Sequence, residues 1–304
     1  MSNQYDVRAV SLDLDGCGFP KNKLPEQPDL LAAYLKTQEG KDSVINLAPY
    51  LSHQPPLIFS VNTGRSWEAS YPVVREMLGD GLIMAVEHGH AIRMPGEDRP
   101  MGMDKIDKRY EAQMRVLAEI RDMIRKDPDI AAHEIHKDYF VAVRVPKDLD
   151  QEEFWRMVSG RLSSEHRDMF RRKEGGIGVF YSHGAIDIRA NDLSKETALG
   201  VISEKVGIPL NKWLAVEDTD ADLLVKPYNR QSKNLGYAGC PADASEKVKD
   251  AVWEGYMLGR IMQHVREVDP TIPHHERMRR STGHIASQEN GRGTLEILKH
   301  FLGD

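Results

Sequence analysis

Two aspartates separated by one residue, Asp13 and Asp15, follow an apolar segment near the start of the chain. Residues 7–12 are mostly apolar, which predicts a buried strand that ends at this pair. Ligands of open parallel sheets bind outside the carboxyl ends of the strands, so both carboxylates are expected at the edge of a site. Close carboxylates repel each other unless a cation compensates. The pair predicts a divalent-metal site with one nucleophilic Asp and one acid/base Asp, although Asp and Gly also form ordinary turns at strand ends.

Three later segments repeat this arrangement of an apolar strand or a helix start beside polar residues. Thr63 and Gly64 follow the apolar residues 57–61, and their hydroxyl and amide groups could bind an anion. Lys195 falls in the first turn of a helix predicted over residues 195–206, where an anionic partner would offset its unfavourable position in the helix dipole. An acidic stretch with Asp218 and Asp222 follows the apolar residues 213–216 and predicts a Mg²⁺ site. A surface lysine and a solvated acidic loop are the alternatives.

His88 and His90, with Glu87, follow a further predicted strand over residues 82–86. Their spacing matches no zinc motif, and no later ligands stand at a suitable separation. The sequence therefore does not favour a zinc site in this segment.

Composition limits the classes of protein to consider. The chain has 304 residues, 40% of them hydrophobic and 29% charged, with a net charge of -6 and two cysteines. Length and composition are typical of a soluble globular protein with two domains. The negative charge argues against nucleic-acid and anionic-membrane partners. No apolar run is long enough to span a membrane, the polar start is unlike a signal peptide, and the cysteine count predicts no disulfide framework, so a cytoplasmic location is expected.

The middle of the chain has a different pattern. A long amphipathic helix predicted over residues 104–126 precedes two strands, another helix and two more strands. This order predicts a compact α+β unit inserted into a parallel-sheet domain. The expected fold is therefore α/β, with residues 1–92 and 187–304 forming the core and residues 93–186 forming the inserted domain.

The polar residues at these strand ends and helix starts could together carry out one reaction, the transfer of a phosphoryl group. Asp13 would attack phosphorus, Asp15 would protonate the leaving alcohol and then activate water, and Thr63 and Lys195 would hold the phosphoryl oxygens. Mg²⁺ would be bound by Asp13, the carbonyl oxygen of Asp15 and Asp218, and would neutralise the developing charge.

The order of the motifs resembles that of the haloacid dehalogenase (HAD) superfamily of phosphatases with a large C2-type cap. Asp13-Leu14-Asp15-Gly16 is similar to motif I, Thr63-Gly64-Arg65 to motif II, Lys195 with residues 197–199 to motif III, and Asp218 with Asp222 to motif IV. The resemblance covers nearly the whole chain and implies a Rossmann-like core with a cap that selects the substrate. Cys17, Glu196, Glu217 and Ala221 depart from the usual motif residues without removing a principal carboxylate.

The inserted unit resembles the caps of Cof-like phosphatases and of sucrose-, trehalose- and mannosylglycerate-phosphate phosphatases. On this resemblance Glu134, Lys137 and Arg144 are candidate substrate-binding residues, although strand alternation places Glu134 and Lys137 on opposite faces of a regular strand. The alternative for all three is ordinary surface charge.

The resemblance implies a Mg²⁺-dependent phosphomonoester hydrolase whose substrate is a small phosphorylated molecule, such as a sugar phosphate or an osmolyte precursor. Two alternatives stay open. One is a mutase like the capped phosphomannomutases, which passes the phosphoryl group to another sugar hydroxyl. The other is a sugar-phosphate-binding protein without turnover, because fold does not prove function. The sequence does not distinguish a monomer from a homodimer.

Overall fold

The computed structural model describes residues 5–20, 28–52, 56–182, 184–219, 235–253 and 283–303. In this part the chain forms a large mixed sheet and a smaller antiparallel sheet, with helices packed on both. The predicted α/β fold, with a mainly parallel central sheet, is confirmed.

The large sheet contains eight strands in the order β12-β11-β10-β1-β2-β3-β4-β5. Every neighbouring pair from β12 to β3 is parallel, whereas β4 and β5 run antiparallel at one edge. The strands are β1 Ala9–Leu12, β2 Ile58–Asn62, β3 Ile83–Val86, β4 Ala91–Arg93, β5 Met101–Gly102, β10 Trp213–Val216, β11 Tyr237–Cys240 and β12 Gly283–Ile285.

Strand β1 lies in the middle of this sheet, and all four of its residues are buried. Leu12 is in register with Val216 of β10 and with Val61 of β2. Because these three strands are parallel, their carboxyl ends meet at one edge of the sheet. The polar segments that follow them, predicted to form one site, therefore start from adjacent positions.

Helices cover both faces of the large sheet. Alternate strand residues face opposite sides, so one apolar cluster contains Ala9 and Ala215 while a second contains Val10 and Leu12. In the described residues the α-helices are Pro28–Leu35, Gln38–Ser43, Ala48–Leu51, Trp67–Leu78, Met103–Ile106, Glu111–Lys126, Pro128–Ala131, Gln151–Gly160, Ser164–Arg171, Lys195–Val206 and Asn290–Leu302, and residues 246–253 are also helical. Short 3₁₀ helices span Glu87–Gly89, Lys108–Tyr110 and Leu210–Lys212.

The smaller sheet belongs to the predicted cap. Its order is β6-β7-β9-β8, and all its pairs are antiparallel. The strands are β6 Glu134–Ile135, β7 Val141–Arg144, β8 Ile177–Ser182 and β9 Ala185–Ala190. The predicted domain limit at residue 186 falls inside β9, and the limit at residue 93 falls at the end of β4, which pairs within the large sheet.

None of the helices in the described ranges is both long and apolar enough to cross a membrane.

Candidate active site

Asp13 and Lys195 form a buried ion pair beyond the carboxyl end of β1. Lys195 Nζ donates to Asp13 Oδ2 at 2.5 Å, and the relative exposure of the two side chains is 3% and 7%. Asp13 Oδ1 accepts a hydrogen bond from the amide of Leu14 at 2.7 Å. Burial raises the pKa of Asp13 to about 6, with the Lys195 charge lowering it and the Asp218 charge raising it further. Asp13 is thus held in place by one cation although burial disfavours its charge.

Asp218 lies directly beside the turn that carries Asp13 and Asp15. A Cβ added to Gly16 would stand 2.2 Å from Asp218 Oδ2, so only glycine leaves room for this carboxylate. Gly16 also has a φ of +76°, which other residues rarely adopt. Asp218 is 1% exposed, and its charge adds to the burial that raises the pKa of Asp13.

Asp13, Asp218 and the turn at Gly16 fit a bound Mg²⁺. The donor set consists of oxygen atoms, which Mg²⁺ prefers, and the glycine creates the space beside them. A cation there would also compensate the repulsion that raises the pKa of Asp13. The predicted ligand Asp222 lies outside the described residues, so its role stays a prediction.

Asp15 is paired with Arg65, the residue after Gly64. The guanidinium donates twice to the carboxylate, from Nε to Oδ2 and from Nη2 to Oδ1, both at 2.7 Å. Arg65 is 15% exposed and Asp15 is 32% exposed, so this bidentate contact is partly shielded from water.

Thr63 is fully buried where β2 ends. Its Oγ1 accepts a hydrogen bond from the amide of Arg65 at 3.2 Å, and its own amide donates to the carbonyl of Ala85. The ring of His88 packs against Gly64, where an added Cβ would lie 2.5 Å from His88 Cε1. Thr63 and Gly64 thus have fixed positions beside the segment that follows β3. Ser66 occupies the N-cap position of helix Trp67–Leu78, but its side chain makes no capping bond.

Two contacts fix the helix that begins with Lys195. Ser194 Oγ accepts from the amide of Thr197 at 3.2 Å, so Ser194 caps the N-terminus of this helix. Asn62 at the end of β2 donates from Nδ2 to the carbonyl of Lys195 at 2.8 Å. Glu217, the residue that replaces the usual motif IV glycine, is fully buried with Oε1 3.8 Å from Lys195 Nζ. Lys195 therefore lies between two carboxylates, Asp13 and Glu217.

One of the three cap candidates, Lys137, contacts a core residue of the site. Lys137 was predicted to lie in the same strand as Glu134. Strand β6 ends at Ile135, so Lys137 instead lies in the segment that follows it. Its Nζ donates to the carbonyl of Gly64 at 2.9 Å, so this cation lies beside Thr63.

Glu134 and Arg144 lie on opposite faces of the cap sheet. Glu134 is in register with Val143, a residue of the helix-covered face, and its carboxylate binds Arg125 Nε at 2.7 Å. Arg144 is exposed at the end of β7 on the other face, which it shares with the buried Asp187 of β9. The structure does not bring Glu134 together with Arg144 and Lys137.

A buried carboxylate, Glu87, joins the core to the cap. Its Oε1 accepts from the amide of Asp138 at 2.9 Å, and its Oε2 accepts from the amides of Tyr139 at 2.8 Å and Phe140 at 3.3 Å. Burial is the main reason that the pKa of Glu87 is raised, while Lys137 and the amides oppose this shift. Three backbone amides of the cap segment therefore occupy the carboxylate oxygens of Glu87.

Cys17 adjoins the site but is fully buried, and burial raises the pKa of its thiol well above the ordinary value. Its backbone carbonyl accepts a hydrogen bond from Thr294 of the last helix at 2.8 Å. These features are typical of an inert buried thiol.

Sequence reasoning did not assign functions to Arg65, Asn62 or Glu87. Each is a polar residue at or just beyond the carboxyl end of an apolar strand, the same signal that identified Asp13 and Asp218. Their partners lie 50 or more residues away in the chain. The sequence could show the positions of these residues but not their contacts.

Comparison with known proteins identifies relatives by structure only. No protein-family profile matches the chain, and no curated protein matches its sequence. The structure of Thermoplasma acidophilum 0175 is similar with a TM-score of 0.54 at 14% identity, covering 97% of this chain and 98% of that one. TM0651 from Thermotoga maritima also gives 0.54 at 14% identity, covering 96% of each chain. The sucrose-phosphatase of Synechocystis sp. PCC6803, solved with sucrose and phosphate, gives 0.50 at 11% identity, covering 98% of each.

These similarities extend over nearly the full length of the chain, including both sheets. At such low identity they show the fold and not the activity. The chain therefore shares its overall fold with these three proteins.

Proposed function

We propose that this protein is a Mg²⁺-dependent phosphomonoesterase that forms an aspartyl phosphate, an acyl phosphate, on Asp13. The observation that carries the proposal is the cluster at the carboxyl ends of β1, β2 and β10. A buried carboxylate, Asp13, is held by Lys195 beside a second buried carboxylate, Asp218. Such a constellation suits nucleophilic attack on a phosphate group whose charge must be neutralised.

In the first step Asp13 attacks the phosphorus atom, and the bond from phosphorus to the ester oxygen breaks. Asp15 supplies the proton that the departing alkoxide takes up. Lys195, the Thr63 hydroxyl and nearby amides hold the phosphoryl oxygens. Bound Mg²⁺ would supply charge neutralisation at this centre, with Asp13, the Asp15 carbonyl oxygen and Asp218 as its ligands.

In the second step Asp15 removes a proton from water, which attacks the phosphorus atom and releases inorganic phosphate and Asp13. The bidentate contact with Arg65 suits this base step, and the proton that Asp15 takes from water is the one it gives to the leaving group in the next cycle. Protonation of the leaving group requires one Asp15 oxygen to leave the guanidinium. A substrate phosphate would favour that change because it offers Arg65 competing oxygen acceptors.

We infer that the substrate is a small sugar phosphate or a phosphorylated osmolyte precursor. The support is the large cap, the Lys137 side chain beside Gly64, and the similarity in fold to a sucrose-phosphatase. A cytoplasmic location remains part of this proposal. The proposal also includes no nucleic-acid partner, because the net charge is negative.

The experiment is phosphate release from a panel of sugar phosphates with Mg²⁺. Chelation of Mg²⁺ and the Asp13→Asn variant should each abolish release. Asn retains the shape of Asp, so the variant should fold. Circular dichroism checks its folding before turnover is compared. No release from any substrate by folded wild-type protein would contradict the proposal, and appearance of an isomeric sugar phosphate without free phosphate would indicate the mutase.

A further inference from the structure

Three potential metal ligands meet where the core and the cap adjoin. Glu68 lies in the first turn of helix Trp67–Leu78, whereas His136 and Asp138 flank Lys137 in the segment between β6 and β7. One ligand atom from each residue lies within 4.8 Å of the other two. None of the three belongs to the cluster around Asp13.

We propose that Glu68, His136 and Asp138 bind a divalent transition metal of the zinc type that bridges the core and the cap. One imidazole nitrogen and two carboxylate oxygens suit Zn²⁺ or Co²⁺, whereas Mg²⁺ prefers oxygen ligands alone. Three protein ligands also leave a coordination position for water. This site is separate from the proposed Mg²⁺ site and does not depend on the proposed phosphatase activity.

A separate observation concerns the carboxylate of Glu68. Its Oε1 accepts from Arg99 Nη2, but Oε2 is shielded from solvent and has no hydrogen-bond partner among the described residues. A buried oxygen without a partner is unfavourable. A cation at Oε2 would satisfy this atom, and Arg99 at Oε1 would keep the carboxylate oriented towards it.

The cap ligands are carried by a segment that the core already holds. The amide of Asp138 is bound to Glu87, and Lys137 Nζ is bound to the carbonyl of Gly64. Lys137 is thus directed to a partner outside the site, whereas Arg99 remains bound to Oε1 of Glu68. This arrangement reduces the change in structure needed when a metal binds.

The exposed His136 ring can adjust its position when a cation binds. A cation with ligand bonds of about 2.1 Å needs its ligand atoms about 3 to 4 Å apart. His136 Nε2 already lies 3.5 Å from Asp138 Oδ1, and the His136 side chain is 67% exposed. Rotation of this exposed ring can therefore bring its nitrogen towards Glu68 without disturbing packed residues.

The test is a Co²⁺ titration of the full chain in excess Mg²⁺, followed by the visible absorption of the protein-bound Co²⁺. Excess Mg²⁺ occupies the all-oxygen site, so the wild-type protein should bind one Co²⁺ at the second site. His136→Asn and Glu68→Gln should each weaken binding at least tenfold. The matched control is His133→Asn, three residues earlier in the cap, where the ring packs against Phe154 and should not affect the titration.

Thermal unfolding gives a second measurement that does not depend on the visible absorption of Co²⁺. Zn²⁺ should raise the melting temperature of the wild type and of His133→Asn by a few degrees, and leave that of His136→Asn unchanged. Failure of the wild type to bind Co²⁺, or equal binding by His136→Asn and His133→Asn, would overturn the site. Loss of binding in His136→Asn but not in Glu68→Gln would overturn the bridge between core and cap.

Discussion

At the scale of single residues, the contact between Arg65 and Asp15 controls the orientation of the proposed acid/base. Both oxygens of Asp15 are engaged by one planar guanidinium, so the carboxylate has a single preferred direction. A lysine in this position could supply the charge but not the two parallel donors. Arg65 therefore acts as a positioning residue in the proposed reaction.

We predict that Arg65→Lys lowers kcat about tenfold or more and changes the pH profile of kcat, because Asp15 loses its bidentate partner. The measurement is steady-state phosphate release across pH 5–9 with the best substrate of the panel. Arg75→Lys is the matched control, since Arg75 lies in helix Trp67–Leu78 and pairs with Asp80 on the exposed surface. Equal profiles for the two variants would rule out the positioning function.

Gly16 allows a second prediction at this scale. Gly16→Ala should weaken Mg²⁺ binding strongly, because the added Cβ would occupy the position of the Asp218 carboxylate. Mg²⁺ affinity is measured by calorimetry. Gly207→Ala is the control: it has a similar φ of +71° but open space around its Cα, so it should cost about 1–2 kcal/mol of stability without changing Mg²⁺ affinity.

At the scale of elements, the end of β3 connects the core to the cap through Glu87. Glu87 and His88 have positive φ values of 52° and 55°, which are uncommon for residues other than glycine. This local conformation accompanies the placement of the Glu87 carboxylate against three amides of the cap segment. The cap segment that binds Glu87 also contains Lys137, whose Nζ binds the carbonyl of Gly64. Two adjacent contacts therefore join this segment to the core.

We predict that Glu87→Gln destabilises the protein by about 1–3 kcal/mol, because Gln replaces one acceptor oxygen with an NH₂ group that faces amide donors. Hydrogen exchange should become faster at Asp138, Tyr139 and Phe140. The control variant is Glu111→Gln, an exposed acid at the start of helix Glu111–Lys126. Unchanged exchange at the three amides would show that Glu87 does not hold the cap segment.

At the scale of the whole molecule, Mg²⁺ and protons should compete for the same carboxylate. The pKa of Asp13 is raised to about 6, above its ordinary value of 3.8. In the metal-free protein, ionisation of Asp13 therefore reduces stability as the pH rises from about 4 to 6. A cation that binds the ionised form should offset this loss.

We predict that Mg²⁺ raises the melting temperature above about pH 6 and that the increase fades at lower pH. Below the pKa of Asp13 the apparent Mg²⁺ dissociation constant should increase about tenfold per pH unit, because binding must displace one proton. Calorimetry from pH 4.5 to 8 measures both quantities. Asp13→Asn should lose the metal effect at every pH, and a pH-independent affinity in the wild type would contradict the assignment.

The sequence predicted the elements that form the central site, because each is a short apolar strand followed by polar residues. Strands β1, β2, β3 and β10 lie within a residue or two of their predicted limits. The cap was predicted less closely: β6 is two residues long, and helix Ser164–Arg171 was not predicted. Strands β4, β5 and β12 were also missed, since runs of two or three residues carry almost no periodic signal.

The sequence by itself determined the fold class and the residue types at the strand ends, because local apolar patterns and motif order depend only on neighbouring positions. Only the tertiary structure determined which residues form hydrogen bonds with these polar groups. Lys195 is 182 residues from Asp13, Arg65 is 50 residues from Asp15, and Glu87 is 51 residues from the amide of Asp138. It also separated Glu134 from Arg144 and brought Glu68 near His136, because strand register and domain packing fix side-chain directions that spacing along the chain does not encode.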